Sequence, residues 1–83
     1  MSSPYRRNVL ERILEDNKRL WSVAEFGGNA DLFLDRVVKP LRELKGEGVI
    51  ATLSEITATI GDKVIVTGVE IIGPINDPRE DDE

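Results

Sequence analysis

The stretch VIATLSEITATI-GD-KVIVTGVEII, residues 49–72, decides the fold. Its two arms, 49–60 and 63–72, are crowded with Ile, Val and Thr, the side chains that suit a pleated strand. Between them Gly61-Asp62 offers a two-residue loop with glycine first, the pattern of a tight hairpin turn. The implied register pairs Ile60 with Lys63, Ala58 with Ile65 and Ile56 with Thr67. One face then carries Ile56, Ala58, Ile60, Ile65, Val69 and Ile71, and is expected to pack on the rest of the chain. The other carries Glu55, Thr57, Thr59, Val64, Val66 and Glu70. Gly68 marks a candidate bulge, and Gly73-Pro74 a strand end.

Upstream of Gly46-Glu47-Gly48 the periodicity changes to that of helices. Residues 4–16 are expected to form the first, capped by Ser3, with Pro4 at its first position and an apolar stripe of Tyr5, Val9, Leu10, Ile13 and Leu14. Residues 22–26 are expected to form a short second helix. Ser22 and Glu25 have capping-box spacing, Trp21 and Phe26 the spacing of a hydrophobic staple, and Gly27-Gly28 stops the helix. A third, 30–45, is capped by Asn29 and buries Phe33, Leu34, Val37, Val38, Leu41 and Leu44. Pro40 lies inside it. Either the helix kinks near Arg36 to Val38 or it breaks at Lys39, and the unbroken phase of the apolar stripe favours a kink.

The 83 residues make room for one α+β domain, residues 1–75, followed by an acidic segment, 76–83. In that segment Asp77, Glu80, Asp81, Asp82 and Glu83 stand against Arg79 alone, so most of the net charge of −5 sits there. Without apolar anchors, 77–83 is expected to be mobile. Cysteine is absent, which excludes a disulfide framework and thiolate metal ligation and fits a cytoplasmic protein. No apolar run approaches the ~20 residues that a membrane-spanning helix needs.

The chain also reads as no enzyme. Histidine and cysteine, the commonest general base and the strongest nucleophile, are both missing. Ser22 is explained as a cap, Ser54 sits in an expected strand with no obvious base beside it, and Gly27-Gly28 lacks the spacing of a phosphate-cradling loop. No cofactor and no metal site is expected.

Three helices followed by a long hairpin resemble a winged helix-turn-helix domain. The most specific segment is Leu41-Arg42-Glu43-Leu44-Lys45-Gly46-Glu47-Gly48-Val49-Ile50, which resembles the end of that family's recognition helix and the start of its wing. Leu20 to Phe26 resembles its second helix. The resemblance implies a DNA-binding protein, a possible transcriptional regulator, with the third helix in the major groove of double-stranded DNA. Arg36, Lys39 and Arg42 would then reach phosphates, Asn29 or Arg36 a base edge, and Lys63 the backbone beside the wing.

The charges argue partly against this. Asp31 and Asp35 fall where the groove is most negative, and Asp35–Lys39 and Lys39–Glu43 have the spacing of ion pairs on a solvated helix face. The basic region of Arg6, Arg7, Arg12, Lys18 and Arg19 has two equal readings, a hold on phosphates or a balance to Glu11, Glu15 and Asp16 on one surface. The alternative is a winged-helix module that binds protein without binding DNA. Leu32 on the third helix, and Val64 and Val66 on the hairpin, are its candidate contacts, the last two as a homodimer surface.

Overall fold

The computed structural model describes residues 4–78. Helix α1 (Arg6–Glu15) leads into a short strand, β1 (Leu20–Ser22), a 3-10 turn (Val23–Phe26) and a 17-residue helix, α2, spanning 30–46. The chain ends in a hairpin of β2 (Ile50–Ile60) and β3 (Lys63–Ile75). The three strands form one antiparallel sheet in the order β1-β3-β2.

Two helices stand where three were expected. The capping box at Ser22 is present: the Ser22 hydroxyl accepts from the Ala24 amide at 3.2 Å, and the Glu25 carboxylate accepts from the Ser22 amide at 2.9 Å. Gly27, at φ 65°, follows so soon that only one tight turn fits. The residues before it form β1. Trp21 sits opposite Val69, with its side chain in the core. Helix α1 starts at Arg6, with Pro4 and Tyr5 in a preceding turn, so Pro4 is not its first helical residue. The Ser3 cap lies outside the described residues.

Helix α2 resolves the Pro40 question in favour of a distorted, continuous helix. It consists of an α segment (Ala30–Phe33), a π segment (Leu34–Val38) and a second α segment (Lys39–Gly46). Pro40 has no N–H to donate, and its ring crowds the carbonyl four residues back. Widening the preceding turn, with the Lys39 amide on the Leu34 carbonyl, relieves both constraints where the kink was expected. Asn29 caps the start through Oδ1, which accepts from the Leu32 amide at 3.0 Å. At the other end Gly48, at φ 83°, turns the chain, and the Val49 amide closes on the Leu44 carbonyl at 3.0 Å.

The core is built from Val9 and Ile13 of α1, Trp21 of β1, Phe33, Val37, Val38, Leu41 and Leu44 of α2, and Val49, Ile50, Val69 and Ile71 at the base of the hairpin. Phe26 and Phe33 pack tilted, with ring centres 5.8 Å apart.

The hairpin turns at Gly61-Asp62, and Ile60 pairs with Lys63 and Ala58 with Ile65, as expected. Beyond that point the expected register fails. Ile56 pairs with Gly68 rather than Thr67, because Thr67 is an extra residue on β3. A second irregularity lies between the Ile50–Ile75 and Thr52–Ile72 pairs, so β3 runs through Gly73-Pro74 to Ile75 instead of ending there. The Asn76 amide then donates to the Val49 carbonyl at 2.9 Å.

The bulge also reverses the expected faces of β2 and of the tip of β3, while Val69 and Ile71 face the helices as expected. Side chains alternate along a strand, and one extra residue resets the alternation. Val66 and Val69, three apart, therefore both turn toward the helices. The face that packs on the body holds Leu53, Val66, Val69 and Ile71, whereas Ile56 and Ile60, expected inside, are exposed.

Candidate interaction surfaces

The five residues that the DNA reading needs do not share one surface. Asn29 uses its side-chain oxygen to cap α2. Arg36 lies over the Tyr5 ring, 5.1 Å from its centre, at a cleft between α1, β1 and α2 that Lys18 and Trp21 also line. Arg42 faces the hairpin instead. Its guanidinium closes as a fork on Glu55 of β2, with Nε to Oε2 at 2.8 Å and Nη2 to Oε1 at 2.7 Å. Lys39 and Lys63 are exposed and form no ion pair among the described residues.

A groove of about 450 Å³ runs beneath the hairpin, between Ala30, Asp31, Leu34 and Arg42 on one side and residues 63–66 on the other, with strand alternation turning Lys63 to the face opposite Val64 and Val66. Val64 and Val66 line the same groove. Val66 is therefore no outward contact, since it faces the helices and packs against the core, while Val64 stays exposed. Leu32, the third candidate contact, is half-buried.

Most other cations are committed as well. Arg6 forks onto Glu47, with Nε to Oε2 at 3.0 Å and a second bond from Nη2 to Oε1, tying α1 to the end of α2. Lys18 meets Glu25 at 2.9 Å with its ammonium 5.5 Å from the centre of the Trp21 ring. Arg12 pairs with Asp16 at 3.0 Å, and Arg19 donates to the Gly73 carbonyl at 2.8 Å. The Arg42 hydrogen bonds hold the Glu55 carboxyl below its ordinary range, and those of Arg6 do the same for Glu47. At Glu25 partial burial pushes upward, but the bonds from Lys18 and the Ser22 amide outweigh it, and the net direction is down. These carboxylates stay charged at neutral pH and cancel the cations beside them.

The surface missed by sequence reasoning is the outer face of the sheet. Opposed residues in an antiparallel sheet point to the same side. The pairs Thr52–Ile72, Ser54–Glu70, Ile56–Gly68, Ala58–Ile65 and Ile60–Lys63 all face away from the helices, and Leu20 joins them opposite Glu70. Leu20, Ile56, Ile60 and Ile72 are 56, 50, 65 and 47% exposed. Gly68 was the available signal: a bulge there moves these side chains outward.

Among the described residues there is no cluster of acidic, His or Cys side chains fit to hold a metal ion, and no helix long and apolar enough to cross a membrane. Comparison with protein-family models, with curated proteins and with solved structures finds no match to this chain.

Proposed function

We propose that this chain is a winged-helix-like protein-interaction module whose working surface is the hairpin rather than helix α2. The plan of helix, short strand, turn, helix and hairpin, with strand order β1-β3-β2, is compatible with a winged helix. The observation that carries the reading is the Arg42–Glu55 fork. The arginine best placed between helix and wing to hold a phosphate is closed on a carboxylate of its own hairpin. Releasing it would strip two hydrogen bonds to a charged partner, a loss that a phosphate contact would merely replace. Meanwhile the hairpin offers solvent several large aliphatic side chains on one face, and buried apolar anchors dominate protein interfaces.

The second reading, DNA binding, is favoured by one observation: Lys39 on α2 and Lys63 at the wing tip are exposed and unpaired among the described residues. A salt titration against random-sequence duplex DNA separates the two. The interaction module shows no binding that steepens as salt falls. A DNA binder shows a log-affinity against log-salt slope that Lys63→Ala flattens by about 1, since each lost phosphate contact releases about one counterion fewer.

A further inference from the structure

We infer that the outer face of the sheet is a two-fold interface with a second copy of this chain, the two hairpins stacking face to face and antiparallel. This rests on the reading of the hairpin as the working surface and names its occupant.

Three observations select a second copy. The first is area. At about 3.3 Å per residue the β2 arm is about 36 Å long, and with β3 and β1 beside it the face offers several hundred Å², on the order of the ~800 Å² per partner of a stable interface. The second is charge. On this face the charged side chains are Lys63 at the tip and Glu70 toward the base. Two identical faces laid antiparallel bring Lys63 of each copy over Glu70 of the other, so the surface is complementary to itself. A parallel arrangement would set like over like. The third is register. With Lys63 over the partner copy's Glu70, the two β3 strands stack, and Ile65 falls over the other Gly68, across which Ile56 leans. Ile65 and Ile56 of the two copies then meet, as in aligned packing of two sheets.

Sedimentation of the full chain over a wide concentration range tests this. The wild type should be a dimer that dissociates on dilution. Ile60→Lys, at a position that contributes nothing to the core, should raise the dissociation constant at least about tenfold while the circular dichroism spectrum and melting temperature of the monomer stay as they are. Lys63→Glu and Glu70→Lys should each weaken the dimer. An equimolar mixture of these two variants should recover it as a heterodimer, because both cross-contacts are then between opposite charges. The double variant K63E/E70K should also recover it.

A wild-type chain that stays monomeric at millimolar concentration overturns the proposal. So does a dimer indifferent to Ile60→Lys, or single charge variants that fail to pair when mixed. None of these results touches the interaction-module reading, which stands or falls on the DNA titration.

Discussion

The two ends of the hairpin are made of the same kinds of residue and live under different physics. At the base, Ile50, Val69 and Ile71 are sealed against the helices. From Thr57 to Val66 the same β-rich composition continues, yet no residue is fully buried, and Ile60 and Val64 are about two-thirds exposed. The molecule is 50 Å long and only 24 Å across. Its radius of gyration, 13.1 Å, exceeds the roughly 12 Å of a compact chain of this length. Stability is therefore concentrated in the body, and the far end of the hairpin is available for contact.

The largest expected effect sharpens that contrast. Phe33→Ala should cost about 3–5 kcal/mol, because it opens a cavity at a fully buried site. Ile60→Ala, measured at dilutions where the chain is monomeric, should stay within about 0.5 kcal/mol, as at other exposed positions. Urea denaturation of both reads the difference, and a tip substitution as costly as the core one would erase the distinction.

Next is the cap of α2. Asn29→Ala should cost about 1 kcal/mol in the same assay, since it leaves the Leu32 amide without its acceptor. An unchanged midpoint would mean that Asn29 is free to serve another role, such as contact with a base.

Acid should act on the ion pairs around the body. The folded pKa values of Glu25, Glu47 and Glu55 are depressed below the unfolded value of about 4.3. The stabilisation they provide is fully present above that value and is lost as pH falls through the lower, folded ones. The melting temperature should be flat from about pH 7 to 5 and decline below about pH 4. A fall that begins well above pH 5 would contradict these shifts.

The smallest effect belongs to the fork between the two regions. Arg42→Ala should cost no more than about 1 kcal/mol, because Arg42 is half exposed. The carboxyl titration of Glu55, followed by NMR, should move upward toward its ordinary value. No movement would mean that the fork is not closed in solution, and the groove-side arginine would again be a candidate for phosphate.

Features fixed by neighbouring residues were legible in the sequence. The Gly61-Asp62 turn, the capping box at Ser22, the Asn29 cap, the distortion ahead of Pro40 and a bulge near Gly68 each depend on chemistry within a few positions. Features fixed by distant partners were not. Leu20-Trp21-Ser22 has no strand signature of its own; it is a strand because Glu70, Val69 and Gly68 lie beside it. Val69 and Ile71 were placed on the correct face, but β2 and the tip of β3 were not, because parity must be counted through the bulge, and a single unplaced residue reverses it. For the candidate site, the sequence supplied the cations but not their partners. Arg42 and Glu55 are 13 residues apart and meet only when the hairpin folds back along α2. Of the proposed contacts, Val64 kept its exposure and Val66 did not.

The pairing of β1 with β3 has a consequence for synthesis on the ribosome. Trp21 reaches its partner Val69 only after the intervening chain has been made, which at about 5–20 residues per second takes several seconds. Until then Trp21 lacks the strand it pairs with. Val69 and Ile71, the last residues of the core to be made, are the ones that complete it.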